Sequence, residues 1–108
     1  MKVCLMTAPS GEEAHRLARL LLESKKVACV NLVPGVTSLY WWEGKIQEDA
    51  EVLLIAKTPD EQVESVIEWI RAHHPYQVAE VLALPVAQGN PPYMAWVDEV
   101  AGAVPPRS

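Results

Sequence analysis

The feature that most constrains the fold is a predicted β-hairpin over residues 38–58, SLYWWEGKIQEDAEVLLIAKT. Its two extended arms meet at residues 43–45, where Gly44 supplies the backbone freedom that a short hairpin turn needs. Because neighbouring side chains of a strand point to opposite faces, Trp41 and Trp42 are predicted to face opposite sides of the sheet. Arms of ~10 residues span roughly 33 Å, which is long against a radius of gyration of about 13 Å for a domain of this size. We therefore predict that the hairpin reaches a neighbouring subunit.

Three further strand segments are predicted from short apolar runs at residues 3–6, 27–32 and 81–86. Pro34-Gly35 lies between the second run and the hairpin, and this pair is typical of a turn or a bulge. With the two hairpin arms, the first of which resumes the 27–32 run, these segments predict a small sheet of four strands.

Three helices are predicted from apolar residues at helical spacing. Ser10 and Glu13 form a capping box at the first, Thr58 is the predicted cap of the second, and Asn90 opens the third. The predicted apolar stripes are Ala14, Leu17, Ala18, Leu21 and Leu22; Val63, Val66, Ile67 and Ile70; and Tyr93, Trp96, Val97 and Val100. The element order predicts an α+β fold, a ferredoxin-like β-α-β-β-α-β sandwich with a long hairpin and an extra C-terminal helix.

Composition limits the class of protein. The 108 residues suit a single domain, predicted at residues 1–102, followed by a flexible tail at residues 103–108. A net charge of −5 argues against nucleic acid and anionic membranes as partners. No apolar run approaches the ~18 residues of a membrane span, and no secretory signal is recognised, so we expect a soluble cytoplasmic protein. Cys4 and Cys29 are predicted to be reduced thiols.

The hairpin segment resembles the corresponding segment of the CutA divalent-cation tolerance family. The resemblance continues through VACVNLVPGVTS, through HHPYQVAEVLALPVAQGNPPYMAW and at Thr7-Ala8-Pro9, and so covers the chain from about Val3 to Val100. It implies the same ferredoxin-like fold, a homotrimer, and a role in tolerance of divalent metals such as copper. The chain departs from the family pattern at Ala79, where the family has a proline before the glutamate that is Glu80 here.

The adjacent pair His73-His74 is the first candidate for metal binding, because imidazole is a common ligand of copper and zinc. The alternative is structural: the helix dipole favours histidine near a helix C-terminus, and an adjacent pair lacks the i, i+4 spacing of zinc proteases. The family resemblance implies a copper site formed by these histidines and a cysteine directly before Thr7. That position is Met6 here, with Cys4 two residues earlier; a thioether suits Cu(I) better than Cu(II), and core packing of Met6 is the alternative.

Other polar and aromatic residues receive weaker assignments. Three carboxylates beside the hairpin, Glu48, Asp49 and Glu51, are predicted to form a solvent-exposed cluster that lacks the pattern of a calcium loop. Cys29 is predicted in an interior strand and is interpreted as structural rather than catalytic. Candidates for a cleft between subunits are Lys57, Tyr76 and Glu80. Predicted trimer-interface residues are Tyr40, Trp41, Trp42 and Trp96, with an aromatic ligand cage as the alternative.

These observations lead to two functional hypotheses. The first is a homotrimeric cytoplasmic protein of divalent metal tolerance, with copper as the candidate metal and no required cofactor. The second is a signalling module similar to the PII proteins, which bind a small effector between subunits. The tight closure at Gly44 argues against the second, because PII proteins present a long loop to their partners. No catalytic constellation is recognised, so we do not expect an enzyme.

Overall fold

The computed structural model describes residues 1–102 and contains four strands and three α-helices. The elements in chain order are β1 (Lys2–Ala8), α1 (Gly11–Glu23), β2 (Cys29–Trp42), β3 (Lys45–Thr58), a short 3₁₀ turn (Asp60–Gln62), α2 (Val63–His73), β4 (Val81–Pro85) and α3 (Pro91–Ala101). The predicted tail at residues 103–108 lies outside the described residues. Within residues 1–102, no helix is both long enough and apolar enough to cross a membrane.

The four strands form one antiparallel sheet in the order β2-β3-β1-β4. This order confirms the predicted ferredoxin-like arrangement, since β1 pairs with β3 on one side and with β4 on the other. It also places β2 at an edge of the sheet in the single chain. The prediction that Cys29 lies in an interior strand is therefore wrong, because β2 pairs with β3 alone.

The core lies between one face of the sheet, here called the helix-covered face, and helices α1 and α2. Alternate residues of β1 and β3 point into it, and Cys4, Met6, Leu54 and Ala56 have no exposed area. The helices contribute Ala14, Leu17, Ala18 and Leu21 from α1 and Val66 and Ile70 from α2, all of them buried. The predicted helical stripes are therefore confirmed at these positions, whereas Leu22 is 37% exposed.

No helix of residues 1–102 covers the centre of the other face of the sheet, here called the open face. Leu5 pairs with Ile55 of β3 and with Leu82 of β4 along one row of this face. Leu82 is 56% exposed, and Leu84 in the neighbouring row is 47% exposed. Helix α3 packs at one end, where Val97 and Ala101 bury Ala28 in a small separate core. The domain therefore leaves a band of aliphatic side chains uncovered.

The hairpin of β2 and β3 is longer than predicted, with 14 residues in each strand. Trp42 pairs with Lys45 across a two-residue turn, in which Glu43 and Gly44 both have positive φ (50° and 77°), as a type I′ turn requires. Pro34-Gly35 forms a bulge within a continuous strand instead of ending it, since the register shifts between Val33 and Val36. The hairpin gives the chain an elongated shape of 53 × 27 × 23 Å.

The helix starts agree only partly with the capping predictions. Ser10 caps α1, accepting a hydrogen bond from the Glu13 amide at 3.2 Å, while the Glu13 carboxylate accepts from Arg16. Thr58 does not cap α2. Its hydroxyl, fully buried, donates to the carbonyl of Lys26 at 2.6 Å and so joins the end of β3 to the segment before β2.

Candidate functional site

His74 is the C-cap residue that follows α2, and it is held inside the domain. The residue is 8% exposed, and Nε2 lies 2.7 Å from the carbonyl oxygen of Thr7 in β1. The backbone amide of Tyr76 donates to Nδ1 at 3.0 Å, so Nδ1 is the unprotonated nitrogen and Nε2 carries the hydrogen donated to Thr7. Both ring nitrogens are therefore occupied in the folded chain. A metal ion at either nitrogen would have to replace one of these hydrogen bonds.

His73 has a different environment although it is the adjacent residue. The ring is exposed, stacks on Trp69 with 4.4 Å between ring centroids, and places Nδ1 2.9 Å from the Trp69 carbonyl. Because a carbonyl only accepts, Nδ1 is the donor, and within residues 1–102 the Nε2 lone pair of this exposed ring has no hydrogen-bond partner. His73 thus offers one nitrogen to a ligand outside the chain.

The predicted sulfur ligands lie in the core. Met6 and Cys4 are fully buried on the helix-covered face, and burial raises the pKa of the Cys4 thiol. Within residues 1–102, no group of three or more histidine, cysteine, aspartate or glutamate side chains is arranged to hold a metal ion. In a single chain the donor set therefore does not assemble a copper chelate, and among the predicted ligand atoms of the described residues the His73 Nε2 atom alone is both exposed and free.

A cavity of about 870 Å³ lies where the hairpin meets the segment after α2. Tyr76 and Glu80, two of the three predicted cleft residues, both line it. The Tyr76 hydroxyl donates to Glu51 Oε2 at 2.9 Å, and the Tyr40 hydroxyl donates to Asp49. Burial, the hydrogen bond to Glu51 and the nearby carboxylates raise the pKa of Tyr76. The cavity therefore has neutral tyrosines hydrogen-bonded to carboxylates along one wall.

Glu51 corrects one expectation from the sequence. The carboxylates of the hairpin were predicted to be solvent-exposed, and Glu48 and Asp49 are, but Glu51 is only 8% exposed. It is covered because Tyr76 reaches it from a segment 25 residues along the chain. Local sequence carries no signal of that contact.

Lys57, the third predicted cleft residue, lies at the opposite end of β3 from the cavity. Its ammonium group donates to the side-chain oxygen of Asn31 and lies 3.8 Å from Cys29 Sγ. The structure thus brings Tyr76 and Glu80 together and leaves Lys57 apart. Cys4 and Cys29 are both free thiols, as predicted.

The predicted interface aromatics are exposed in the single chain. Trp41 is 71% exposed, Trp42 45%, Tyr40 41% and Trp96 42%. The first three lie at the outer end of β2 and also line the cavity, whereas Trp96 lies on α3 beside Tyr93. These aromatics therefore form two separate surface regions, one at the hairpin and one at α3.

Comparison with known proteins gives concordant matches. The sequence model of the family described as CutA1 divalent ion tolerance protein matches residues 2–100. "Protein CutA" of Mus musculus is 48% identical over 104 residues, which are 96% of this chain and 59% of the mouse protein. This chain thus spans about three fifths of the length of that relative.

Two solved structures share the fold over nearly the whole chain. The divalent cation tolerance protein (Cut A1) of Thermus thermophilus superposes with a TM-score of 0.91 at 46% identity, covering 94% of this chain and 100% of that one. CutA1 of Oryza sativa superposes with a TM-score of 0.92 at 44% identity, covering 95% of this chain and 94% of that one.

Proposed function

The chain belongs to the CutA1 divalent ion tolerance family, and from that membership we propose that it acts as a non-enzymatic, cytoplasmic homotrimer in the cellular response to divalent metal ions, copper among them. The observation that carries the proposal is the family match over residues 2–100. The fold agrees with it, since both solved relatives named above superpose over more than nine-tenths of this chain.

The proposed trimer is supported by the open face of the sheet. Leu82 and Leu84 are about half exposed, and Ile55 and Leu5 lie in the same band. An exposed aliphatic face of this kind marks a contact surface in a folded protein. The exposed tryptophans of the hairpin provide a second contact region, and tryptophan is enriched at subunit interfaces.

The oligomeric state is measured by light scattering after size exclusion, at micromolar protein concentration. The proposal expects three times the chain mass of 11.9 kDa. A mass close to that of one chain would remove the trimer from the proposal. Leu82→Lys tests the surface, because a charge on the open face is expected to dissociate the assembly. The matched control is Leu22→Lys, which makes the same substitution at an exposed leucine of α1.

The proposed copper contact is limited to His73. Within the described residues its Nε2 has no hydrogen-bond partner, whereas both nitrogens of His74 are occupied and Met6 and Cys4 are buried. A single imidazole per chain gives a weak site on its own, because stable copper sites combine several nitrogen or sulfur ligands. We therefore propose that any copper bound by the folded protein is held through His73, at one ligand per subunit.

The test is a calorimetric titration of the metal-free protein with Cu(II) and, under reducing conditions, with Cu(I). Binding is expected to be lost in His73→Ala. His15→Ala is the matched control, because His15 is also exposed and also places Nδ1 2.8 Å from the carbonyl of the residue four positions earlier. Equal loss in both variants would reduce the interaction to nonspecific surface histidine binding, and retention in His73→Ala would contradict the assignment.

A further inference from the structure

We propose that the cavity at the base of the outer hairpin, called the hairpin cavity, binds a small organic cation that carries an ammonium group on an apolar body. The cavity holds about 870 Å³, within the roughly 300–1,000 Å³ typical of small-molecule sites. It lies between the outer parts of β2 and β3 and the segment that follows α2. Its lining combines carboxylates with aromatic rings, and the two groups contribute different parts of the recognition.

All the charged residues among those that line the hairpin cavity are acidic. Asp49, Glu51 and Glu80 line it, and its lining contains no lysine, arginine or histidine among the described residues. Over residues 1–102, none of these three carboxylates takes part in an ion pair. A ligand that enters therefore meets carboxylates with no cation of the described chain beside them.

Glu51 provides an independent reason to expect a cation. More than nine-tenths of its surface is buried, and its carboxylate accepts a hydrogen bond from the neutral Tyr76 hydroxyl. Buried charges in proteins are normally paired or bound to a cation, because removal from water is costly without compensation. Within residues 1–102, Glu51 receives this hydrogen bond but forms no ion pair with a lysine, arginine or histidine side chain. A cationic ligand beside Glu51 supplies the missing partner.

The aromatic lining selects an organic cation. Tyr40 and Trp42 lie on the same face of the hairpin as Asp49 and Glu51, and with Tyr76 they line the cavity. The face of an indole or phenol ring attracts an ammonium group and also accepts an apolar chain beside it. A bare metal ion fits less well, because the described residues contain no group of three carboxylate, histidine or cysteine side chains arranged to share one ion. Anionic effectors such as nucleotides are disfavoured by the carboxylates.

The hairpin cavity is to be tested in the assembled protein, since the proposed trimer places a neighbouring subunit against the same hairpin. The first probe is 1,5-diaminopentane, which has ammonium groups on an aliphatic chain, titrated calorimetrically at low ionic strength. Pentan-1-ol is the uncharged comparison with a chain of the same length. We expect saturable binding of the diamine, at one per chain, and no saturable binding of the alcohol.

Two substitutions locate the binding. Glu51→Gln removes the buried charge, and Glu80→Gln removes an exposed one, so the second keeps the test valid if the first folds poorly. Each is expected to weaken binding by about tenfold, because each removes a charge-assisted contact. Glu64→Gln is the control: it makes the same charge change on the exposed surface of α2, outside the cavity, and is expected to leave binding unchanged.

Four results would overturn the proposal. They are no saturable binding of the diamine, equal weakening in Glu64→Gln, equal binding of pentan-1-ol, and stoichiometric binding of Mg²⁺ or Cu²⁺ that is lost in Glu51→Gln. If the diamine does not bind, the partner of the Glu51 carboxylate is a side chain of a neighbouring subunit instead of a ligand. If Mg²⁺ or Cu²⁺ binds through Glu51, the ligand of the cavity is a metal ion. The copper contact proposed at His73 is unaffected by any of the first three, because the two sites share no residue.

Discussion

Replacing the two adjacent histidines one at a time separates a structural residue from an exposed one. In His74→Ala, the Thr7 carbonyl loses its donor and the Tyr76 amide loses its acceptor. Each hydrogen bond contributes on the order of 1 kcal/mol, and an unpaired buried group costs up to ~3 kcal/mol. The ring also packs on Tyr76, with 4.9 Å between ring centroids. Together these losses give an expected destabilisation of about 2–4 kcal/mol.

His73→Ala is expected to change the free energy of unfolding by less than about 0.5 kcal/mol, because the ring is exposed and alanine favours a helix more than histidine does. His74→Asn provides an intermediate case. The asparagine oxygen occupies the region of Nδ1 and keeps an acceptor for the Tyr76 amide, but it leaves no donor for Thr7. Its free energy of unfolding is expected to lie between that of the wild-type protein and that of His74→Ala.

The measurement is urea unfolding followed by tryptophan fluorescence. Protomer concentrations are matched among variants, since the stability of an oligomer depends on concentration. The dependence of unfolding free energy on urea is compared first, because a changed slope would invalidate a comparison of midpoints. A His74→Ala protein within about 0.5 kcal/mol of wild type, or equal losses in both alanine variants, would refute the hydrogen-bond assignment of His74.

Three further predictions concern the fold. Thr58→Val keeps the shape of the side chain but leaves the Lys26 carbonyl without its donor, so the free energy of unfolding in urea should fall by about 1–3 kcal/mol. Thr58→Ser keeps the hydroxyl and should reduce the free energy of unfolding by less. Cys4 is fully buried and burial raises the pKa of its thiol, so it should react with a disulfide reagent only when the protein unfolds. Cys4→Ser should therefore leave the labelling of the folded protein unchanged. Weaker labelling of the folded variant would contradict the burial of Cys4. Gly44→Ala places a side chain at φ 77° and should cost about 1 kcal/mol, whereas unchanged stability would argue against the type I′ turn.

The elements that sequence predicts well are those fixed by local chemistry. The turn at Gly44 is predictable because a two-residue hairpin turn needs positive φ, and that requirement is met within the turn itself. The end of α2 at His73 is predictable because Pro75 prevents its continuation. The helical stripes follow from periodicity in the same way.

The elements that sequence misses depend on contacts between distant segments. Thr58 matches a helix cap in sequence, yet its hydroxyl bonds a carbonyl 32 residues away. Glu51 has the sequence context of a solvated acid, and only the fold brings Tyr76 over it. The edge position of β2 depends on which strands pair, and the apolar character of Val30 and Leu32 does not reveal that. For the candidate site, residue types predict the histidine pair, but only the hydrogen bonds distinguish His73 from His74.

The turn and the bulge together make the reach of the hairpin variable in defined steps. Two points fix the register between β2 and β3. At the tip the turn places Trp42 opposite Lys45, and at the base the sheet places Val33 opposite Leu53. Two residues added to each arm between these points would move the tip outward by about 7 Å while every existing side chain kept its face. One residue added to a single arm would turn the side chains beyond it to the other face unless a second bulge absorbed it. Paired insertions in chains of this architecture can therefore change how far the hairpin extends from the domain, with the domain at the base left as it is.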